Sequence, residues 1–177
     1  MHRLFVGLRP PQPIRDQLLD LMTDVPGARW QDDEQLHITL RFIGEVDRPV
    51  AEDIADALGV IASRKLSLQL SGVGRFDSGG RANALWAGVT PRDALTALHR
   101  KVDTILVRIG LPPERRAYLP HITVARLNRS AAPADAWLSR HATLASAPFD
   151  VAHMILFESH LTSAGAHYEA VTRYPLR

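Results

Sequence analysis

Leu36-His37-Ile38-Thr39-Leu40-Arg41-Phe42-Ile43 has a counterpart in the second half of the chain, Pro120-His121-Ile122-Thr123-Val124-Ala125-Arg126-Leu127. Each stretch sets a histidine and a threonine two residues apart among apolar and β-branched residues. Side chains on a β-strand alternate faces with a period of two. As strands, the two stretches therefore put His37 with Thr39, and His121 with Thr123, on one face. Ile38, Leu40 and Phe42, and Ile122 and Val124, fall on the other, which can be buried. Two imidazole–hydroxyl pairs across a cleft supply an acid, a base and two hydroxyl donors. That set suits chemistry at phosphorus.

Two further His-x-Thr triplets, His141-Ala142-Thr143 and His160-Leu161-Thr162, lack this context. His141 follows Asp135-Ala136-Trp137-Leu138-Ser139-Arg140, which reads as helix, where residues two apart do not share a face. His160 precedes the turn-like Ser163-Ala164-Gly165-Ala166. These two are set aside. His2, His99, His153 and His167 have no partner pattern and read as surface or packing residues.

A chain of 177 residues suits a single domain, or two small lobes sharing a core. No stretch reaches the roughly 18–20 apolar residues of a membrane span, and the apolar run near the N-terminus is short for a signal peptide. Cysteine is absent, which excludes disulfides and thiolate chemistry. Together these point to a cytoplasmic protein. Net charge is only +2, yet 19 of the 21 basic residues are arginine. The guanidinium is a planar fork of donors that matches phosphate, although an Arg- and Ala-rich genome gives the same bias.

Along the chain, Arg3–Leu8 reads as a strand closed by Pro10-Pro11, and Pro13–Val25 as a helix stopped by Pro26-Gly27. After the first histidine strand, Asp47 caps a helix that runs toward Ser63. Lys65–Leu70 alternates strictly and is a half-buried strand. Gly72, Gly74, Gly79 and Gly80 then read as a glycine-rich connection to a returning strand, Leu85–Val89. Asp93–Ile109 is a strongly amphipathic helix with Gly110 behind it. The second histidine strand follows, then a helix over Pro133–Leu144 and two strands, Phe149–Phe157 and Tyr168–Tyr174. The succession of helix, loop, histidine strand, helix and strands occurs twice. A duplicated unit of this kind packs about a two-fold axis, which sets the two histidine strands facing each other. The fold class is α+β, with two antiparallel β-sheets flanked by helices.

The chain resembles the RNA 2′,3′-cyclic phosphodiesterase (2′-5′ RNA ligase) family of the 2H phosphoesterase superfamily. The two His-x-Thr motifs carry most of the resemblance. Arg3-Leu4-Phe5-Val6, Arg29-Trp30, Phe42-Ile43-Gly44, Leu85-Trp86-Ala87-Gly88-Val89 and Leu156-Phe157-Glu158-Ser159 extend it almost end to end. The resemblance implies a bilobal fold with pseudo-two-fold symmetry around a central groove, formed by one domain, residues 1–177, of two similar lobes. It implies metal-independent hydrolysis of RNA 2′,3′-cyclic phosphate ends to 2′-phosphate ends, with reversible 2′-5′ ligation as an associated activity. His37 would be the proton donor and His121 the proton acceptor, roles that the residues alone leave unassigned. Thr39, Thr123 and Arg126 would hold the phosphate. From the residues themselves, Arg41 is a further candidate for substrate contact by its strand parity, and Tyr118, on the loop before the second motif, either contacts the ligand or packs. No cofactor or metal is expected, the partner is RNA with a cyclic phosphate end or a related nucleotide, and the protein is expected to be a monomer.

The chemistry is coherent without the resemblance. In-line attack on a cyclic phosphodiester needs a base on one side of phosphorus and an acid on the other. Imidazole, titrating near pH 6.5, serves in either role. Hydroxyls and arginine bind the non-bridging oxygens, and neither HExxH nor a Cys-rich metal motif is present. One demand is specific. Arg126 lies five residues past His121, so it shares the groove face only if the strand bulges, twists or ends near Ala125. Arg41, four past His37, has the right parity for an unbroken strand. Trp30, Trp86 and Phe42 read as core residues, with base stacking as the alternative. Arg115 and Arg116 are loop arginines, either solvated or on an RNA backbone. Two other functions fit the same sequence: a phosphodiesterase acting on a small cyclic nucleotide or a 2′-5′ oligonucleotide, and a non-catalytic RNA-binding module.

Overall fold

In a computed structural model covering residues 1–177, the apolar run at the start forms β1 (His2–Leu8). Helix α1 (Gln12–Leu19) enters through Pro11 and Pro13 and buries Ile14 and Leu18. It ends earlier than Val25. The chain turns where Asp24 takes a left-handed φ of 69°, and Leu21 and Val25 are buried from irregular backbone. Strand β2 (Arg29–Trp30) and a 3-10 turn, Asp33–Gln35, lead into β3 (Ile38–Val46). Helix α2 (Arg48–Leu58) is capped by the Asp47 carboxylate, which accepts from the Val50 amide.

The expected glycine-rich connection after Leu70 is instead strand. β4 (Leu66–Ser78) runs through Gly72 and Gly74, and only Gly79-Gly80 turns the chain into β5 (Arg81–Thr90). Gly74 serves close approach rather than a turn. A Cβ there would fall 2.2 Å from the Trp86 ring, which lies across it. After α3 (Arg92–Arg108) and a long loop come β6 (His121–Arg126) and the short α4 (Asp135–Arg140). The expected strand Phe149–Phe157 is two strands in different sheets. β7 (Phe149–Val151) pairs with β4, and β8 (His153–Thr162) pairs with β1 and with β9 (Gly165–Pro175).

Two antiparallel sheets result, ordered β3-β1-β8-β9 and β2-β6-β5-β4-β7, with four helices, so the fold is α+β. One cluster of 33 buried apolar side chains draws on both sheets and on α1, α2 and α3. The histidine strands β3 and β6 belong to different sheets but lie beside each other, which is how the two motifs meet. No helix is long and apolar enough to cross a membrane.

Both histidine strands are bulged at the same place. In the β1–β3 pairing, Val6 stands opposite Arg41 and Gly7 opposite Thr39, so Leu40 is an extra residue. In the β5–β6 pairing, Leu85 stands opposite Ala125 and Trp86 opposite Thr123, so Val124 is extra. A bulge shifts the alternation by one residue. Leu40 and Arg41 are both buried as a result, and so are Val124 and Ala125.

Candidate active site

A groove of about 730 Å³ lies between the sheets, and His37, Thr39, His121 and Thr123 all line it. The two imidazoles are held alike. His37 Nδ1 donates to the Gln35 carbonyl at 2.7 Å, and His121 Nδ1 donates to the Leu119 carbonyl at 2.7 Å. A carbonyl can only accept, so each neutral ring carries its proton on Nδ1 and keeps a lone pair on Nε2. The Gln35 carbonyl is itself fixed. Gln35 and Asp32 form a reciprocal capping box, and Gln35 Nε2 donates to the Ala166 carbonyl beyond the β8–β9 turn.

The pairs differ in one respect. Thr39 Oγ1 lies 2.9 Å from His37 Nε2 and donates to its lone pair in the neutral ring. His121 Nε2 has no such partner within the protein, so its lone pair faces the groove unengaged.

Aromatic side chains back both rings. Phe5 stands 4.8 Å from the His37 ring centre, and Tyr168 meets it edge-on at 5.2 Å. Phe76 meets His121 edge-on at 4.9 Å, and Trp86 lies behind at 6.1 Å. Burial among these rings disfavours the charged imidazole. It lowers His37 to about 4, opposed by the bond to Gln35 and reinforced by the charges of His121, Arg126 and Arg9. His121 is lowered as well, by burial first, with the Arg126 charge adding to it.

Arg126 lines the groove. The bulge at Val124 supplies the parity shift that its position demanded, and the Val124 carbonyl accepts from the Gln31 amide. The bulge at Leu40 does the same in β3 with a different result. Phe42, five past His37, emerges into the groove 39% exposed, with the Arg3 guanidinium 5.4 Å above its ring.

Arg41 is turned away from the groove. It is 7% exposed and donates to Asp103 at 2.8 Å, to the Phe42 carbonyl at 2.6 Å and to the Pro112 carbonyl. Tyr118 is not in the groove either. Its hydroxyl donates to the Thr39 carbonyl at 2.9 Å, and its ring stacks on His99 at 4.3 Å. His99 in turn donates to the Leu40 carbonyl at 2.6 Å. A bulge leaves carbonyls without ladder partners, and buried carbonyls need donors. Tyr118, His99 and Arg41 are those donors for Thr39, Leu40 and Phe42. Neither Arg115 nor Arg116 lines the groove, and Arg116 pairs with Glu114 at 3.5 Å.

Three guanidinium groups line the groove, those of Arg3, Arg29 and Arg126, against one carboxylate, Asp32. Arg3 and Arg29 were not distinguished by sequence pattern. Arg3 could have been found from β1, where it shares parity with Phe5; Arg29 stands in the Arg29-Trp30 segment of the family resemblance, which gives it no role. Glu158, His160 and Glu169 form the one cluster of three groups able to ligate a metal. They alternate with the groove residues Ser159, Leu161 and Tyr168 and so occupy the other face of their sheet.

A profile of the 2′-5′ RNA ligase superfamily matches residues 10–162. The chain belongs to that superfamily. It is similar to RNA 2′,3′-cyclic phosphodiesterases from Geobacillus stearothermophilus, at 30% identity over 159 residues, 89% of this chain and 50% of that protein, and from Aeropyrum pernix, at 39% identity over 106 residues, 59% of this chain and 60% of that protein. The chain thus spans between half and three fifths of the length of these curated relatives. The crystal structure of E. coli LigT complexed with 3′-AMP superposes with a TM-score of 0.78 at 23% identity, covering 99% of this chain and 98% of that one, so the superfamily member shares that fold.

Proposed function

We propose that the groove hydrolyses the 2′,3′-cyclic phosphate at an RNA end to a 2′-phosphate, with His121 as base and His37 as acid. The observation that carries this reading is the matched pair of imidazoles, each pinned through Nδ1 to a carbonyl two residues upstream and each presenting Nε2 to one groove. Water attacks phosphorus as its proton passes to His121 Nε2. The bond from phosphorus to the 3′ oxygen breaks, and that oxygen takes the Nε2 proton of protonated His37. Solvent returns the proton from His121 to His37 between turnovers. The free lone pair on His121 Nε2 supports its role as acceptor.

Phosphate charge is met by Arg126 and by the Thr123 and Thr39 hydroxyls. The Thr39 hydroxyl rotates away when His37 Nε2 gains its proton. His37 is largely neutral in the empty groove, since its proton is held only below about pH 4. A bound phosphate anion raises that value, because an opposite charge nearby favours the cation, so substrate itself arms the acid. Acid, base and countercharge all come from side chains. The names of the Geobacillus and Aeropyrum relatives accord with this activity. We take residues 1–177 to act as one unit whose two lobes each contribute one motif.

The test is turnover of an oligoribonucleotide ending in a 2′,3′-cyclic phosphate, in the presence of chelator, followed by product analysis. A 2′-phosphate product, formed about 10²-fold or more slower in both His37→Ala and His121→Ala, is expected. A 3′-phosphate product, or activity near that of the wild type after either substitution, overturns the assignment.

A further inference from the structure

Where β2 pairs with β6, Arg29 stands directly opposite Arg126. Like charges facing each other across a sheet are destabilising. Neither guanidinium lies within ion-pair distance of any carboxylate, although nine guanidinium–carboxylate pairs form elsewhere in the chain. Both line the groove. Two adjacent cations left without countercharge at the edge of an anion-binding groove are a pair that a polyanion would neutralise.

The two point to different places. Arg126 lines the groove with His37 and His121, and its charge bears on both rings, so the proposed reaction sets this guanidinium beside the reacting phosphate. Arg29 reaches the other way, toward the turn between β8 and β9. Its Nη2 lies 2.9 Å from where a Cβ on Gly165 would be, at a residue whose φ of 120° favours glycine. The turn residues that line the groove there, Ser163, Ala164 and Gly165, carry no charge. Arg29 is therefore a groove cation without a carboxylate partner, reaching the β8–β9 turn and standing opposite Arg126 in the sheet.

We propose that Arg29 binds the phosphodiester joining the terminal nucleoside to its 5′ neighbour, making the groove a reader of two successive phosphates. This rests on the function proposed above and narrows its substrate to a nucleotide that carries a 5′ phosphate in addition to the cyclic one. A nucleoside 2′,3′-cyclic monophosphate with a free 5′ hydroxyl offers Arg29 nothing. Adding a 5′ phosphate to that nucleotide, or a further nucleotide, supplies the missing anion.

The experiment compares kcat/KM for three substrates: a nucleoside 2′,3′-cyclic phosphate, the same compound with a 5′ phosphate, and a short oligoribonucleotide with the cyclic end. Wild-type protein is expected to prefer the second and third. In Arg29→Ala, that preference is expected to fall about tenfold or more, the range for a hydrogen bond to a charged group, chiefly through KM. Arg29→Lys, which keeps the charge, is expected to restore part of it. The salt dependence of oligoribonucleotide binding should also weaken by about the contribution of one phosphate contact. An unchanged preference in Arg29→Ala, or an equal loss on all three substrates, overturns the subsite and leaves the proposed reaction standing. Wild-type protein that turns over none of the three overturns both.

Discussion

Leu40 and Val124 hold equivalent places in the two halves of the chain: each is the extra residue of a bulge three positions beyond its histidine. Each bulge buries two consecutive residues and hands the fifth residue after the histidine back to the groove. That fifth residue is Phe42 in one strand and Arg126 in the other. The two strands thus share backbone geometry where side-chain identity differs. The groove has a guanidinium from β6 on one flank and an aromatic ring from β3 on the other, which Arg3 covers.

Arg126 sits near enough to both imidazoles to hold their pKa values down. Replacing it with alanine removes that positive charge, so both histidines should titrate higher in the folded protein, as read by NMR of the ring protons. The same substitution should lower kcat about 10²–10³-fold, the range for loss of one donor to a developing anion. Titration curves that do not move would place Arg126 away from the rings.

Single replacement of His37 or His121 by alanine should each cost about 10²–10⁴ in kcat/KM. The double substitution should cost little more than the worse single one, because acid and base act in one step. Fully additive losses, measured on the same cyclic phosphate substrate, would mean that the two rings serve separate events.

Much of this site was legible in the residues, and the reasons are physical. His37, Thr39, His121 and Thr123 each sit before the bulge in their strand, where simple alternation still holds. Arg126 stands after a bulge, and its position five past His121 forced the inference of one. Arg41 stays out of the groove because β3 carries the same bulge. Its four-residue spacing suited an unbroken strand, while Leu40 had already shifted the phase. Of the two readings open for Tyr118, ligand contact or packing, the residues could not choose, for a related reason. Its hydroxyl answers a carbonyl that only the bulge sets free, and nothing local encodes that. The split of Phe149–Phe157 into two sheets was equally hidden, since strand periodicity does not say which neighbour a strand will find.

Tyr118→Phe tests the packing role. Loss of the bond to the Thr39 carbonyl should cost about 1 kcal/mol of stability, the usual net value of a buried hydrogen bond. KM should stay within a few-fold of wild type, because the hydroxyl does not face the groove. A large rise in KM with no loss of stability, seen in paired denaturation and kinetic measurements, would return Tyr118 to the substrate.

Gly74 carries a prediction about the second histidine. A valine side chain at this position cannot coexist with the Trp86 ring, which passes 2.2 Å from the Cβ position and in turn lies 6.1 Å from the His121 ring centre. Gly74→Val should therefore lower stability by about 1–3 kcal/mol, as overpacking does. It should also shift the His121 ring resonances while leaving those of His37 in place. Equal movement of both sets would indicate a general loosening of the groove.

His37 gives the sharpest dependence on pH. Its value falls from 6.5 in an unfolded chain to about 4 in the fold, with burial as the main cause. Between those two values the unfolded chain binds a proton that the folded protein refuses, so stability must drop as pH falls from 6.5 toward 4 and level off below. The contribution of this one ring is at most about 3 kcal/mol. Replacing His37 with asparagine should flatten the stability profile in that window, leaving the smaller slope that His121 contributes in the same direction. Inorganic phosphate should act on the same equilibrium from the other side. Bound beside the ring, it stabilises the imidazolium and should raise the His37 value toward neutrality, whereas phosphate that leaves the His37 titration untouched does not share a site with the ring. Chemical denaturation at a series of pH values, with and without phosphate, reads both effects at once.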